Sequence, residues 1–176
     1  NSDKLIDPYL NYAKALKETH RHSKLKSVIS GLQTISNNVE QDSLTQAYLL
    51  QAIADTYSAV GKRINAKNYY KASYNIYSKV LPDNDYRLGI AAFYMGKYAA
   101  RKQNHHEAIK YFEQALLGFK AEDSRFQQLT LTARTFLVSS LEAIGDSDGA
   151  TEHCLAVGKI KPWLKNLNPA PLYRLQ

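Results

Sequence analysis

Small and large apolar residues recur along the chain at helical spacing, and the pattern returns every 42 residues. The clearest positions form a small–large–small series with spacing i, i+4 and i+7, which places all three side chains on one face of an α-helix. Small residues on such a face let a neighbouring helix approach closely. The three series are Ala66, Tyr70 and Ser73; Ala108, Phe112 and Ala115; and Ala150, Cys154 and Val157.

Another apolar stripe precedes each series, so the unit of repetition is a pair of helices. The stripes are Leu50, Ile53, Ala54 and Tyr57; Ala92, Met95, Gly96 and Ala99; and Leu137, Val138 and Leu141, with Arg134 departing from the pattern. Short polar turns are predicted between the paired helices, at residues 62–65, 104–106 and 146–149.

The periodicity predicts eight helices, and no strand pattern competes with them. Asn104 with Glu107, and Ser124 with Gln127, have the spacing of an N-cap and its reciprocal partner. Pro82 ends one helix, as Pro162 ends another, because proline lacks the backbone donor. The first pair matches the repeat weakly, as expected of a terminal unit. The helices are predicted over residues 8–19, 22–38, 43–60, 65–80, 85–102, 105–120, 125–144 and 147–160.

Tyrosine is unusually common, and four tyrosines cluster on the helix predicted over residues 65–80. Spacings of four and three put Tyr70, Tyr74 and Tyr77 on or near one face, close to Tyr69. We interpret this stripe as packing between helices with hydroxyls that reach water. A second contact surface is the alternative interpretation.

The charge balance is basic, with a formal net charge of +7 and a pI near 9.4. The excess is spread over the chain, and the densest group of cations, Lys62, Arg63, Lys67 and Lys71, is what a solvated helix start would present. Nucleic-acid binding is therefore not expected. No apolar run is long enough to predict a transmembrane segment.

Candidate catalytic and metal-binding chemistry is sparse. His20 and His22 lie in a predicted turn, His105 and His106 begin a helix, and His153 stands beside Cys154. None of these pairs supplies the roughly four convergent ligands of a structural zinc site, and we expect Cys154 to be a buried apolar residue. No phosphate-binding glycine loop, nucleophile elbow or metalloprotease motif occurs. The sequence predicts no metal, no cofactor and no enzyme.

The repeats resemble the tetratricopeptide repeat (TPR) family over residues 43–162. The residues that carry the resemblance are Gly96, Ala108, Phe112 and Ala115; Gly61, Ala66 and Tyr70; and Gly145, Ala150 and Pro162. The resemblance implies an all-α, TPR-like right-handed superhelix (a solenoid) of about four antiparallel helix pairs over residues 1–163. It also implies a non-catalytic scaffold that binds a protein or peptide.

In that family the first helix of each pair lines a concave groove, and the register of this sequence names the residues that would face it. Lys97 and Arg101 are too few for a carboxylate clamp, and Asp55 and Glu142 would repel an acidic peptide end, so an extended segment or a helix is the expected ligand. Phe93 and Tyr94 have an alternative interpretation as side chains that fill the space between helices. The groove residues are Tyr48, Gln51, Asp55, Ser58, Ile90, Phe93, Tyr94, Lys97, Arg101, Thr132, Thr135, Ser139 and Glu142.

Residues 164–176 are predicted to be a tail or linker. Within them, Asn168–Gln176 resembles the lead-in to the C-terminal domain of TonB-type energy transducers. That resemblance implies a TonB-system component in the periplasm of a Gram-negative bacterium. The alternative for these residues is an ordinary proline-containing tail at a domain edge. The alternatives for the function of the chain are a cytoplasmic TPR adaptor or regulator and an oligomerisation domain that self-associates.

Overall fold

The computed structural model describes residues 11, 12, 15, 22–119 and 124–160, and every regular element among them is an α-helix. Residues 11, 12 and 15 are helical, and the rest of the predicted helix 8–19 lies outside the described residues. The other predicted helices are confirmed, with ends that differ by two residues or fewer. They are α1 (His22–Asn37), α2 (Leu44–Ala59), α3 (Arg63–Val80), α4 (Tyr86–Arg101), α5 (His105–Gly118), α6 (Gln127–Ala143) and α7 (Ser147–Ile160).

The helices stack as pairs along one direction. Within the described chain α2 packs with α3, α4 with α5 and α6 with α7, and α1 packs on α2 as the second helix of the pair before. Each pair also contacts the next, through α3 with α4 and α5 with α6, and the first helices α4 and α6 touch. Such neighbour-only packing defines a solenoid.

The turn inside each pair has the same backbone conformation in all three complete pairs. Gly61, Gln103 and Gly145 occupy one repeat position, and their φ angles are 74°, 58° and 82°. This left-handed conformation ends the first helix. The backbone N–H of the next residue (Lys62, Asn104 or Asp146) then donates a hydrogen bond to a carbonyl in the last turn of that helix. The polar turns predicted at 62–65, 104–106 and 146–149 were placed too late, since the second helices already begin at residues 63, 105 and 147.

Of the two predicted N-caps, Asn104 is confirmed in its position and in its contact with Glu107, and Ser124 is wrong. Asn104 is at the N-cap of α5, but its side chain donates to the Glu107 carboxylate, 2.7 Å away, and caps no backbone N–H. Ser124 lies in a turn, and α6 begins only after Phe126. Pro82 does follow the end of α3, as predicted; Pro162 lies outside the described residues.

The small repeat positions are buried where helices come close. Ala66, Ala108 and Ala150 are buried in their three helices. Gly96 of α4 faces Phe112 of α5 so closely that an added Cβ would stand 2.8 Å from the ring. The predicted small–large–small face is therefore the packing face of the second helices.

Tyrosines on α3 fill much of the space between pairs, which confirms the packing interpretation. Tyr70 and Tyr77 are fully buried and Tyr74 is half-buried. Their hydroxyls were expected to reach water, and for two of them this is wrong. Tyr70 donates a hydrogen bond to the Asp55 carboxylate, and the buried Tyr77 hydroxyl has no hydrogen-bond partner among the described residues.

Cys154 is exposed, and the prediction that it is buried is wrong. Its equivalents Tyr70 and Phe112 are buried because the first helix of the next pair covers them: Tyr94 of α4 stacks on Tyr70, and Phe136 of α6 stacks on Phe112. No described helix follows α7, so the same position in α7 is open.

Candidate functional site

The predicted groove residues lie on α2, α4 and α6, which are the first helices of their pairs. Their exposure falls into three groups, which the sequence pattern alone did not separate. The exposed ones are Tyr48, Ser58, Arg101, Thr135, Ser139 and Glu142; the half-buried ones are Gln51, Asp55, Ile90, Tyr94, Lys97 and Thr132; and Phe93 is buried.

Tyr70 joins the groove sides of α2 and α4. Its hydroxyl donates to the Asp55 carboxylate on α2, and its ring stacks on Tyr94 of α4 with centroids 4.3 Å apart. Burial, and then the Asp55 charge, raises the pKa of Tyr70 far above its usual value, and burial raises the pKa of Tyr94 to about 12. Both phenols are therefore neutral at physiological pH, and Asp55 is already engaged inside the protein.

An aromatic and basic surface lies on one side of α4, and we call it the α4 patch (Tyr94, Lys97, Tyr98 and Arg101). The Lys97 ammonium lies 5.7 Å from the centroid of the Tyr94 ring, within the range of a cation–π contact. Burial, and then the nearby Arg101 charge, lowers the pKa of Lys97. Burial raises the pKa of Tyr98, and the charges of Arg101 and of Arg63 from α3 oppose this shift. The patch thus places the Lys97 cation over the Tyr94 ring, with the charge of Arg101 nearby.

Phe93 belongs to the core, and the packing alternative holds for it. Only 2% of its surface is exposed, and its ring makes an edge contact with Phe112 and a tilted contact with Phe119. The Lys97 ammonium lies 5.4 Å from its centroid. Phe93 therefore packs beneath Lys97 of the patch, and its ring is not accessible to a partner.

The groove side of α6 is lined by hydroxyl groups that already donate within the helix. Thr132, Thr135 and Ser139 each donate to the backbone carbonyl four residues earlier. Side chains bonded in this way keep only acceptor capacity for a ligand. The α6 side is consequently poorer in hydrogen-bond donors than the α4 patch.

Gln51 stands at the repeat position of Phe93, and it is half-buried in place of the ring. Its Oε1 atom is buried and has no hydrogen-bond partner among the described residues. A buried amide oxygen without a donor is destabilising, so Gln51 lowers the stability of the protein at this position.

Arg134, the departure from the apolar pattern, binds the last pair together. It is half-buried between α6 and α7, and its Nη1 lies 2.9 Å from Nδ1 of His153. A guanidinium only donates, so Nδ1 accepts and the neutral ring carries its proton on Nε2. Burial, and then the Arg134 charge, lowers the pKa of His153, which keeps the ring neutral at physiological pH. Arg134 and His153 thus make a contact internal to the last pair.

Sequence reasoning missed Tyr98 as a member of the α4 patch, and it missed two residues that act on the patch: Tyr70, whose buried ring stacks on Tyr94, and Arg63, whose charge acts on Tyr98. Tyr98 lies four residues after Tyr94, so helical spacing could have placed it on the same side. Tyr70 and Arg63 come from the second helix of the preceding pair, and only the packing of α3 on α4 brings them there.

Within residues 22–119 and 124–160, no three histidine, cysteine or acidic side chains converge in a way that could hold a metal ion. Over the same residues, no helix combines the length and apolarity that crossing a bilayer requires.

Comparison with known proteins gives one relative by sequence. No protein-family model matches the chain. The Protein KINESIN LIGHT CHAIN-RELATED 3 of Arabidopsis thaliana is 26% identical over 140 residues, which are 75% of this chain and 22% of that protein. The chain thus spans about a fifth of the length of this relative.

Two solved proteins share the architecture. BtubC (BKLC) from P. vanneervenii superposes with a TM-score of 0.75 at 18% identity, over 97% of this chain and 68% of its own. A putative kinesin light chain of Podosopora anserina, with nearly identical TPR-like repeats, superposes with a TM-score of 0.70 at 15% identity, over 96% of this chain and 79% of its own. The chain therefore has the all-helical, TPR-like repeat fold of these two structures.

Proposed function

We propose that this chain is a protein-binding scaffold that holds an extended segment or a helix of a partner along the surface of α2, α4 and α6. The observation that carries the proposal is the α4 patch. It places two cations, one exposed and one half-buried, beside half-buried tyrosine rings. Tyrosine and arginine dominate the energetics of many protein interfaces, because they bury large surfaces and still form polar contacts.

Capture of a free C-terminal carboxylate is not the proposed mode. Lys97 and Arg101 are the cations among the predicted groove residues, and Asp55 adds a carboxylate that Tyr70 holds in place. A ligand that runs past the patch makes use of the long surface that the stacked pairs create.

A random twelve-residue peptide library displayed on phage and selected on the intact chain tests this function. Arg101→Glu should lower the affinity of the chain for the selected peptides by about tenfold or more, because it reverses a charge in the patch. Lys71→Glu is the control, since it makes the same charge change at an exposed position of α3. Fluorescence anisotropy gives both affinities, and equal losses for the two variants would place binding outside the α4 patch.

The cellular setting is a narrower proposal, and two alternatives remain. The first is a periplasmic TonB-system component, which rests on Asn168–Gln176; these residues lie outside the described residues. The second is a cytoplasmic adaptor or regulator. Two of the proteins named above are a kinesin light chain-related protein and a putative kinesin light chain, and only the class of repeat scaffold carries over from them to this chain.

Sequencing of the coding region on both sides of these 176 residues separates the two settings. An export signal upstream together with a Tyr-Pro motif downstream supports the TonB system. Their joint absence from the complete reading frame supports the cytoplasmic adaptor. The predicted boundary between residues 163 and 164 lies outside the described residues and stays a prediction.

A further inference from the structure

Two arginines stand at neighbouring helix ends, where α3 begins and α4 finishes. Arg63 is the first residue of α3 and Arg101 is the last residue of α4, and the two packed helices run antiparallel. Arg63 lies seven residues before Tyr70, on the side of α3 where the Tyr70 ring contacts Tyr98, with centroids 6.3 Å apart. Arg101 lies three residues after Tyr98, on the same side of α4. The two arginines therefore flank the Tyr98 phenol.

The electrostatics of Tyr98 agree with this placement. Burial raises its pKa, and the charges of Arg101 and Arg63 oppose the shift, so both cations act on the phenol oxygen. Both arginines are exposed, and the ion pairs among the described residues involve neither of them. The Asp55 carboxylate also acts on Tyr98, but it already accepts a hydrogen bond from Tyr70. At neutral pH, Tyr98 is thus a protonated donor beside two cations.

The packing of one helix pair on the next does not require this group. The following junction, between α5 and α6, has the same arrangement of helices. There the positions equivalent to Arg63, Tyr98 and Arg101 carry His105, Ser140 and Ala143. A role in holding the repeats together would call for similar side chains at both junctions, so we look for a ligand at the first.

The ligand that suits this group is an oxyanion with more than two acceptor oxygens. A single guanidinium fork can already satisfy both oxygens of a carboxylate. Here Arg63, Arg101 and the Tyr98 hydroxyl offer donors from two helices, and Lys97 adds a positive charge beside Arg101. A phosphorylated side chain has three acceptor oxygens and a charge of about −1.5 to −2 at neutral pH, so it can use all three donors.

We propose that Arg63, Tyr98 and Arg101 bind the phosphate group of a phosphorylated side chain in the partner segment. This site rests on the proposed function, because the segment that carries the phosphate is the one held along α2, α4 and α6. Arg63 donates to the phosphate oxygens from α3, while Tyr98 and Arg101 donate from α4. Phosphorylation of the partner then strengthens its binding, and removal of the phosphate releases it.

Fluorescence anisotropy on the intact chain tests this site with matched peptides. Twelve-residue synthetic libraries with a fixed central phosphoserine, phosphothreonine or phosphotyrosine supply the peptides, and each is remade with the unmodified residue or with glutamate at the centre. The phosphorylated form should bind about tenfold more tightly than either. Arg63→Gln should remove this gain and leave the affinity for the unmodified form within about twofold. Lys71→Gln, the same charge change at an exposed position of α3, is the control and should keep the gain.

Each other outcome overturns the phosphate site, and Arg101→Glu shows whether the proposed function falls with it. Equal binding of the phosphorylated and unmodified forms means that no phosphate is recognised. The proposed function then stands if Arg101→Glu still lowers the affinity for the unmodified form by about tenfold, and it falls if that affinity is unchanged. Equal binding of the glutamate form means that any acidic segment is accepted. Equal losses for Arg63→Gln and Lys71→Gln mean that the net positive charge of the chain attracts the phosphate. Circular dichroism of both variants checks that helix content is retained.

Discussion

Phe93 and Tyr94 are neighbours in the sequence, and the fold separates what they do. Phe93 points into the core among aromatic rings, whereas Tyr94 stacks on Tyr70 and borders the α4 patch. Phe93→Ala would open a large cavity, at a cost of about 3–5 kcal/mol, and would confuse binding with stability. Arg101 is exposed, so its substitution reports on binding alone.

Removal of the hydroxyl group should have opposite effects on stability at the two fully buried tyrosines of α3. Tyr70→Phe removes the donor to a half-buried carboxylate and should lower the free energy of unfolding by about 1–2 kcal/mol. Tyr77→Phe removes a buried hydroxyl that lacks a partner among the described residues, so stability should stay within about 0.5 kcal/mol or rise. Urea denaturation at pH 7 measures both, and an equal loss for the two variants would contradict the assignment.

At the scale of helices, local pattern predicted the seven described helices, their order and their pairing. Ala66, Ala108 and Ala150 set the 42-residue register, because a small residue recurs where a neighbouring helix comes close, and the apolar stripes before them predicted the first helices. The turns were placed less well, since Gln103 adopts a left-handed conformation that side chains rarely take.

The candidate site was harder to predict, for a physical reason. Groove positions follow from the register of one helix, but exposure depends on which neighbour covers each position. Phe93 and Arg101 are both on α4, and only the packing of α5 on that helix buries the first. Cys154 was predicted to be buried and is exposed, because no described helix follows α7 to cover it.

The contact between the start of α4 and the end of α5 depends on two glycines. A Cβ added at Gly118 would lie 2.8 Å from the Asp85 carbonyl oxygen and 2.9 Å from Gly89 Cα. These are backbone atoms that cannot turn aside, so Gly118→Ala should cost about 1–3 kcal/mol. Gly158→Ala is the control, because the Cβ added at this position of α7 would meet no atom within 4 Å. It should raise the free energy of unfolding by about 0.5–1 kcal/mol through helix propensity. Thermal unfolding compares them, and a neutral Gly118→Ala would show that the helices separate easily.

At the scale of the molecule, the core is divided among neighbouring pairs. One buried cluster joins α1 with α2 and includes Leu32, while another extends from α4 to α7 and includes Leu137. Extensive contacts between these two ends are absent among the described helices. Stability in such an array is a sum of local and nearest-neighbour contributions, so damage at one end should remain there.

Leu32→Ala and Leu137→Ala test this locality, and each is the control for the other. Both side chains are fully buried, so each truncation should remove about 2–5 kcal/mol of local stability. Hydrogen exchange should accelerate in α1 and α2 for Leu32→Ala and leave α6 unchanged. For Leu137→Ala it should accelerate in α6 and α7 and leave α1 unchanged. If both variants accelerate exchange equally along the whole chain, the array unfolds as one cooperative unit. A partner bound at the α4 patch would then stabilise every helix, whereas in a local array it stabilises chiefly α3, α4 and α5.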